Sequence, residues 1–440
     1  MKYQRYDDRP LLLKSANIID LYSGYIYYNK NIIVYSDRII DIQDSVCLQD
    51  DTKYMIVDCT DKFIIPALWD MHIHILCNAD LAIPHLLANG VLGIRDMGSS
   101  FKEIESLRAK LKENSLPMNV YVTGPILDDK TIPGIDSRIN IAETDDVLSV
   151  VKELYESGSD YIKVHYKVPY DKYCKLLKHA KKFKLPVVGH VPYDVSIMEA
   201  IRLGQRSLEH LSGIFLGSSS SEDVLRERYV TAENNMLAEL NEKEAAETFD
   251  ENKFEEIMKA SIENDVYYTP TMRIMKAATS ELIDSKPEFY KYISQELIDF
   301  MEDFTKELKK FNLIPFFDYM YEQKMKLLSK MHVLKVPIMV GTDSHCSMLG
   351  DQFKIFYGCS VHEEMQELVN CGFSNLEALQ CATINPVKFL NIADDFGKIE
   401  TGKIADFLVL NSNPLEDIKN AQDIEYIVLK GMLKPVKEFI

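Results

Sequence analysis

The stretch that decides the predicted fold is IPALWDMHIH, residues 65–74. Its apolar half is typical of a buried strand, and two histidines, His72 and His74, end it at positions i and i+2. Alternate residues of a strand point to the same side, so both imidazoles can reach one metal ion. A chance pair with this spacing is common, and it is the place at a strand end that makes this pair a candidate metal site.

Further strand-like runs follow, separated by amphipathic helical stretches, an alternation typical of βα units around a parallel sheet. With the first, the predicted strands are Ala67–Met71, Gly93–Asp96, Asn119–Thr123, Tyr161–Val164, Pro186–Gly189, Ser207–Glu209, Tyr267–Thr269 and Pro337–Gly341. Eight such strands with their helices predict an α/β fold, a closed (β/α)8 TIM barrel rather than an open sheet.

Both ends of the chain are rich in short β segments and turns, in contrast to the middle. Residues 1–63 and 392–440 are therefore predicted to pair into one small β-sandwich domain, and residues 64–391 to form the barrel. Long gaps before the seventh and eighth strands predict insertions. The helical insertion around 280–330 reads as two long amphipathic helices, which would either roof the mouth of the barrel or pack against its wall.

Composition narrows the class of partner. Lys and Arg total 50 against 68 Asp and Glu, and a formal charge of -18 argues against nucleic acid and anionic membranes as partners. The polar start, Met1–Asp8, and the lack of a long apolar stretch predict a cytoplasmic protein. Eight scattered cysteines without a C-x-x-C pair indicate neither a disulfide framework nor a thiolate zinc site. A small-molecule substrate is expected, and a homo-oligomer is left open.

Three more potential ligands stand at predicted strand ends. His190 and His210 follow the fifth and sixth strands, and Asp343 follows the eighth in the sequence Gly-Thr-Asp. Each residue alone would be read as a structural histidine or a turn aspartate. Together with the first pair they bring four imidazoles and a carboxylate to one rim, for which a metal ion is the simplest reason. Asp343 can both bind a cation and accept a proton.

Lys163, inside the fourth predicted strand, is the anomalous member of this group. An ammonium group has no lone pair and cannot be a ligand. Burial beside cations should lower its pKa, and the neutral amine can add carbon dioxide to form a carbamate that bridges two metals. The alternative is a strand-end lysine that pairs with a carboxylate.

These motifs resemble the amidohydrolase superfamily, and within it the imidazolonepropionase-like and metal-dependent dipeptidase (prolidase-like) branch. The resemblance spans nearly the whole chain. It rests on IPALWDMHIH (65–74), GIRDMG (93–98), GHVP (189–192), SLEHL (207–211), GTD (341–343), ATINP (382–386) and GKIETGKIADFLVL (397–410).

The resemblance implies a binuclear metal centre, because mononuclear imidazolonepropionase and cytosine deaminase relatives lack the lysine. It assigns two divalent ions, with zinc as the default and Mn, Fe or Co as alternatives. It also implies that the terminal segments form a small β-sandwich. The implied ligands are His72, His74 and Asp343 for the first ion, His190 and His210 for the second, and carbamylated Lys163 as the bridge.

Three further residues are candidates for contact with substrate. Dipeptidase relatives place a tyrosine two residues after the strand-five histidine, whereas this chain has Pro192 there and Tyr193 next. Arg273 follows the seventh strand and either clamps a substrate carboxylate or forms a surface salt bridge. His165, two residues after the lysine, faces the substrate or supports a ligand.

The predicted function is hydrolysis of an amide-type C–N bond in an N-acyl amino acid, a dipeptide or a cyclic amide. A hydroxide that bridges the two metals would attack the carbonyl, and Asp343 would pass the proton to the leaving nitrogen. The alternatives are lactone, ester or organophosphate hydrolysis, or deamination of a heterocycle. A catalytically silent scaffold is disfavoured, since all six ligands are present. Arg95 and Asp96 are predicted to form a buried ion pair at the rim.

Overall fold

The computed structural model describes residues 9–45, 52–75, 78–113, 118–131, 136–345 and 353–440. Three of the eight cysteines, Cys47, Cys77 and Cys346, and the polar segment Met1–Asp8 lie outside these ranges.

Strands and helices alternate through the middle of the chain, and strands dominate its two ends. The strands are β1 (Leu11–Ile19), β2 (Ile26–Tyr35), β3 (Arg38–Asp44), β4 (Met55–Asp58), β5 (Phe63–Pro66), β6 (Leu68–Ile73), β7 (Val91–Asp96), β8 (Asn119–Val122), β9 (Ile126–Asp128), β10 (Arg138–Asn140), β11 (Ile162–Val164), β12 (Val187–Gly189), β13 (Ser207–Glu209), β14 (Tyr267–Thr269), β15 (Phe407–Leu410), β16 (Ile424–Leu429) and β17 (Met432–Pro435).

The α-helices fall between and after the central strands. They are α1 (Ala79–Ala88), α2 (Phe101–Lys112), α3 (Val147–Glu156), α4 (Tyr170–Phe183), α5 (Ile197–Leu203), α6 (Ile214–Gly217), α7 (Glu222–Thr231), α8 (Asn235–Glu239), α9 (Glu242–Glu247), α10 (Glu251–Glu263), α11 (Met272–Ala277), α12 (Gln295–Lys310), α13 (Ile314–Val333), α14 (Cys359–Asn370), α15 (Asn375–Ala382) and α16 (Ile384–Phe389). None of the described helices is both long and apolar enough to cross a membrane.

The two ends of the chain share one sheet, as their β-rich texture predicts. Its order is β17-β16-β15-β5-β1-β2-β3, with β4 beside β1. The junction between the ends is the antiparallel pairing of β5 with β15, in which Pro66 lies opposite Phe407. Leu11, Leu13 and Phe407 are fully buried in a separate core on this sheet. The predicted domain boundary at residue 63 falls on the first residue of β5.

The central strands form two parallel sheets, β6-β7-β8 and β10-β9-β11-β12-β13-β14. Seven of the predicted strands are observed within one or two residues of their expected bounds, so the α/β class is confirmed. Parallel strands bring their carboxyl ends to one edge, which is where the candidate ligands were expected.

The eighth predicted strand, Pro337–Gly341, is only partly regular. It makes isolated bridges rather than a ladder, with Ile338 beside Tyr268 and Ser344 beside Ile73. Its backbone still forms hydrogen bonds with both neighbouring strands. Met339 N donates to Tyr268 O at 2.8 Å, and Met71 N donates to Val340 O at 2.9 Å. The segment therefore joins the last strand of one sheet to the first strand of the other.

The insertion around 280–330 contains the two predicted long helices, α12 and α13. Leu297 and Met301 of α12 and Leu327 and Met331 of α13 are buried in the same core as the central strands. The buried faces of both helices thus pack on the main body, and the choice between roofing the mouth and packing against the wall stays a prediction.

Candidate metal centre

Three of the predicted ligands, His72, His210 and Asp343, offer ligand atoms that all lie within 4.8 Å of one another. The Asp343 carboxylate is the centre of the group. Its Oδ1 lies 3.3 Å from His72 Nε2 and 3.2 Å from His74 Nε2, and its Oδ2 lies 3.9 Å from His210 Nδ1. The Asp343 carboxylate therefore lies among three imidazole rings.

The remaining two predicted ligands lie directly beside this group. Lys163 Nζ is 3.5 Å from His72 Nε2, and the side chain is only 3% exposed. The ring of His190 stacks on that of His210 at 4.9 Å between centroids. The structure thus brings together all six residues that the sequence marked, although they span more than half of the chain.

Strained backbone accompanies the ligands at the strand ends. His210, Thr271 and Asp343 have φ values of 60°, 51° and 56°, in the left-handed region that side chains other than glycine rarely adopt. Such conformations persist only where the surroundings over-determine them, and they concentrate at functional sites. The left-handed backbone here sets the direction in which the strand ends turn, and among the described residues it also occurs at turns such as Lys184 and Asp265.

A buried carboxylate, Glu209, orients the first histidine. Its Oε2 lies 2.8 Å from His72 Nδ1, while Arg95 Nη2 and Ser207 Oγ donate to its Oε1 at 2.8 and 2.6 Å. Burial opposes ionisation, but the Arg95 guanidinium and then His72 hold the pKa of Glu209 well below its usual range. An ionised Glu209 accepts Nδ1–H of His72, which leaves the Nε2 lone pair free for a cation.

Glu209 was missed by the sequence analysis, and it also corrects the ion pair predicted there. Arg95 pairs with Glu209, whereas Asp96 accepts hydrogen bonds from Ile75 N at 2.8 Å and from the Ser99 hydroxyl. Successive residues of a strand point to opposite sides, so Arg95 and Asp96 cannot face each other. The available signal was the two-residue spacing of Ser207 and Glu209, which places both on the inner side.

Asp70 connects strand β6 to the turn that carries Asp343. Its Oδ2 accepts from Thr342 Oγ1 at 2.6 Å, and its Oδ1 accepts from Thr342 N at 3.0 Å and from His72 N at 3.2 Å. Burial raises the pKa of Asp70 to about 7, although these hydrogen bonds oppose the rise. Asp70 thereby fixes the neighbours of two candidate ligands.

Burial favours the neutral form in three of the four imidazoles, those of His74, His190 and His210. Burial lowers the pKa of His74 to about 4 and that of His210 to about 3, and it holds the pKa of His190 well below its usual value. In His72 burial acts in the same direction, but the Asp343 carboxylate and the hydrogen bond to Glu209 together outweigh it and raise the pKa. Neutral imidazoles carry the lone pair that a metal ion requires.

One of the candidate ligands has a buried nitrogen without a hydrogen-bond partner, as expected of a group that binds a divalent cation. His190 Nδ1 is buried and, within the described part of the chain, has no hydrogen-bond partner. Buried polar atoms are nearly always hydrogen-bonded. An unpaired imidazole nitrogen among the other candidate metal ligands therefore fits a residue that binds a cation. Imidazole nitrogens with a carboxylate suit zinc, and also manganese, iron or cobalt.

The candidate substrate residues lie in two places. His165 Nδ1 is 2.8 Å from Asp128 Oδ2, and its ring is 4.5 Å from the His190 ring. The Tyr193 ring stacks on Tyr166 at 4.8 Å, and the Tyr166 ring is 4.1 Å from that of His190. His165 therefore adjoins the candidate centre directly on the His190 side, and Tyr193 is separated from His190 by the Tyr166 ring.

Arg273 is differently placed. Its Nε donates to Glu363 Oε2 at 2.7 Å and its Nη2 to Lys354 O at 3.3 Å, and the residue is 7% exposed. The alternative salt bridge exists, with Arg273 buried and the Glu363 side chain 41% exposed. A role in binding a substrate carboxylate stays a prediction.

Two glycines allow the strand ends to approach each other. A Cβ on Gly341 would lie 2.3 Å from Thr269 Cγ2 and 2.8 Å from His72 Cβ, and one on Gly189 would lie 2.3 Å from Val164 O. Real Cβ atoms do not approach so closely, so any side chain here must displace a strand that carries a ligand.

We expect Gly341→Ala to lower the free energy of unfolding by about 1–3 kcal/mol, because the added methyl overpacks the contact with His72. It should also reduce metal content, measured by elemental analysis beside a denaturant titration. Gly204→Ala is the control: its φ of 99° makes it costly by about 1–2 kcal/mol, but its Cβ would meet no atom within 4 Å. Equal metal loss in both variants would contradict the steric argument.

Comparison with known proteins decides the family. A family model described as Amidohydrolase family matches residues 63–434. The chain belongs to this family. The motifs predicted a resemblance to this family, and that prediction is confirmed.

A related sequence and several solved structures are similar to this chain. It is 23% identical over 254 residues to adenine deaminase 1 of Latilactobacillus sakei subsp. sakei (strain 23K), a match that covers 50% of this chain and 39% of that enzyme. The chain thus aligns with about two fifths of that relative's length.

The solved structures cover nearly the whole chain. A Xaa-Pro dipeptidase with bound methionine gives a TM-score of 0.69 at 19% identity and covers 97% of this chain and 100% of its own. A putative prolidase from Bifidobacterium longum gives 0.70 at 19%, covering 98% of each chain. A bottromycin amidohydrolase gives 0.71 at 17%, covering 99% of this chain and 89% of its own. At such identities these likenesses establish the fold.

Proposed function

We propose that this amidohydrolase is a metal-dependent hydrolase that cleaves an amide-type C–N bond in a small molecule. The observation that carries the proposal is the convergence of four imidazoles, Lys163 and Asp343 at one edge of the parallel strands. N-acyl amino acids, dipeptides and cyclic amides are the substrate classes that this site is proposed to take. Family membership and the likeness to a dipeptidase and a prolidase support this choice.

Each residue has a proposed role. His72, His74 and Asp343 would hold one divalent ion, His190 and His210 a second, and Lys163, once carbamylated, would lie between them. The ions, by default zinc with Mn, Fe or Co as alternatives, would supply Lewis-acid activation of water and of the scissile carbonyl. Asp343 is the proposed base that takes the proton of the attacking water and delivers it to the leaving nitrogen.

Supporting and substrate roles follow from the same contacts. Glu209 and Asp70 would orient His72 and the turn before Asp343. Tyr193 and His165 are proposed to contact substrate, because His165 adjoins His190 and Tyr193 stacks on Tyr166, which adjoins His190 as well. Arg273 is kept as a third candidate, with its pairing to Glu363 as the competing role.

We also propose the complete architecture expected from the sequence. Hydrogen bonds from Met71 N to Val340 O and from Asp160 N to Val122 O, each at 2.9 Å or shorter, link the two parallel sheets on both sides. This supports a closed (β/α)8 barrel over residues 64–391 with the helical insertion around 280–330. The shared end sheet supports a small β-sandwich domain made of residues 1–63 and 392–440.

A second candidate reaction is deamination of a heterocycle, which the likeness to an adenine deaminase favours. Lactone, ester and organophosphate hydrolysis remain alternatives on the same centre. A silent scaffold is disfavoured, because the six candidate ligands are all present and adjacent. A cytoplasmic location is kept as a prediction from the sequence, and a homo-oligomeric state is left open.

Metal analysis with a substrate screen tests the proposal. Protein expressed with added zinc or manganese should bind about two ions per chain and hydrolyse at least one dipeptide, N-acyl amino acid or cyclic amide. Adenine, lactones and aryl esters serve as the competing substrates. His72→Asn should lose metal and activity, whereas His179→Asn, at a half-buried position of α4, should lose neither.

The proposal fails if the loaded protein retains only trace metal and cleaves none of the amides. Deamination of adenine with no amide hydrolysis would instead favour the second candidate.

A further inference from the structure

Helix α14 carries a buried carboxylate, Glu364, whose hydrogen-bond partners lie on another helix, α11. The residue is 0% exposed. A buried carboxylate is costly unless its oxygens accept hydrogen bonds. Here Oε1 accepts from Met272 N at 2.9 Å and Oε2 from Arg273 N at 2.7 Å. Both carboxylate oxygens therefore accept hydrogen bonds from backbone N–H groups in the first turn of α11.

The residue just before this turn, Thr271, contacts a candidate metal ligand. Its Oγ1 lies 2.8 Å from His210 Nδ1, and the side chain is 2% exposed. Thr271 has a φ of 51°, a conformation that is unfavourable for a β-branched residue. Such a residue stays in place only where neighbouring contacts hold it, and the two hydrogen bonds of Glu364 begin at the next residue.

We propose that Glu364 is a positioning residue for His210. It fixes the turn after β14 so that the Thr271 hydroxyl accepts a hydrogen bond from Nδ1–H of His210, which leaves Nε2 with the lone pair. Partners of this kind set the tautomer and ring orientation of metal-binding histidines. The inference rests on the proposed metal role of His210.

The basic side chains of α11 pair with other carboxylates of α14 rather than with Glu364. The guanidinium of Arg273 pairs with the adjacent Glu363, and Lys276 of α11 pairs with Glu367 at 3.0 Å. The contacts of Glu364 with α11 are thus to backbone N–H groups, and replacing it changes the turn without breaking either ion pair.

Histidine-selective 15N labelling of the metal-free protein gives a readout at His210 itself, assigned by loss of its signals in His210→Gln. Glu364→Gln should shift the imidazole nitrogens of His210, because one backbone N–H loses its acceptor. The control is His362→Gln on the same helix: His362 is 3% exposed and contacts Asn89 O at 2.9 Å, away from the site. This control should leave the His210 signals in place.

Cobalt loading gives the second readout. Glu364→Gln should weaken cobalt binding roughly ten-fold and alter its visible spectrum, as expected for the loss of an outer partner of a ligand. Thr271→Val, which removes the hydroxyl and keeps the shape, should do the same, whereas Thr271→Ser should resemble the wild type. If Glu364 acts through Thr271, the Glu364→Gln/Thr271→Val double variant should match Thr271→Val alone.

The proposal is overturned if Glu364→Gln lowers thermal stability but leaves both the His210 nitrogens and the cobalt spectrum unchanged. Full additivity in the double variant would overturn it as well. Should Glu364→Gln fail to fold, Glu364→Asp, with its shorter reach, is judged by the same criteria. A wild-type protein that binds no cobalt refutes the metal role instead, and the 15N comparison in metal-free protein still decides the positioning role.

Discussion

Replacing Asp343 by asparagine should lower kcat by about 10²–10⁴-fold, the range typical of a lost general base. The amide keeps the size of the side chain and an oxygen that can face His72 and His74, which the carboxylate now contacts at 3.3 and 3.2 Å. An amide cannot accept the proton of an attacking water. The loss should therefore exceed any loss of metal, measured by steady-state kinetics and elemental analysis of the same preparation.

The matched control is Asp395→Asn. Asp395 is half-exposed and pairs with Arg38 at 2.8 Å, so the same chemical change there should leave kcat within a factor of two. An Asp343→Asn enzyme that retains metal and wild-type kcat would remove Asp343 from the role of base. Loss of all metal in that variant would restrict the residue to a ligand role.

The candidate ligands could be predicted because each one ends or lies within a strand. A strand end is visible in a sequence, and the fold brings all the carboxyl ends to one edge. His190 and His210 are unremarkable alone and become informative only through their shared placement. Lys163 could be recognised as anomalous from its chemistry, since an ammonium group among metal ligands needs an explanation.

The supporting residues could not be predicted in the same way. Glu209 reaches Arg95 across 114 positions and His72 across 137, and Thr342 reaches Asp70 across 272. No local pattern encodes such pairings, because they depend on which strands become neighbours and which sides face inward. The expected pairing of Arg95 with Asp96 failed for this reason: adjacency in sequence is separation across a strand.

The fold shows the same division between local and distant causes. Alternation of apolar runs and amphipathic stretches predicted seven of the central strands and the helices α12 and α13. It also predicted a regular strand at Pro337–Gly341. Val340 N there donates to Cys381 O, outside the neighbouring strands, and the left-handed backbone at Asp343 ends the extended segment. Local propensity does not contain that constraint.

Lys163→Ala should abolish the function more completely than loss of an ordinary ligand, with kcat/KM reduced by more than about 10²-fold. Lys163 lies 3.5 Å from His72 and beside Asp343, so its removal leaves the centre without the group proposed to join its two halves. Metal content should fall by about one ion per chain. Acetate or propionate, which can enter the vacated space as a free carboxylate, should restore part of the activity.

The control is Lys175→Ala on α4, whose side chain is half-exposed and pairs with Asp171 at 3.0 Å. It should leave both metal content and kcat/KM unchanged. If Lys163→Ala keeps wild-type metal and activity, the binuclear proposal is wrong. If activity is lost but no carboxylate restores any of it, the lysine acts as an amine rather than through a carbamate.

The pH dependence of metal reconstitution in the wild-type protein distinguishes a lysine that acts as an amine from one that acts through a carbamate. Burial lowers the pKa of Lys163 to about 8, although the carboxylates of Asp343 and Glu209 oppose the fall. Only the neutral amine adds carbon dioxide, with release of a proton, so the reactive fraction increases as pH rises through this value. At a fixed concentration of dissolved carbon dioxide, metal-free protein should therefore recover activity more than about ten-fold faster at about pH 8.5 than at about pH 6.5. A rate that does not depend on carbon dioxide at either pH would exclude the carbamate.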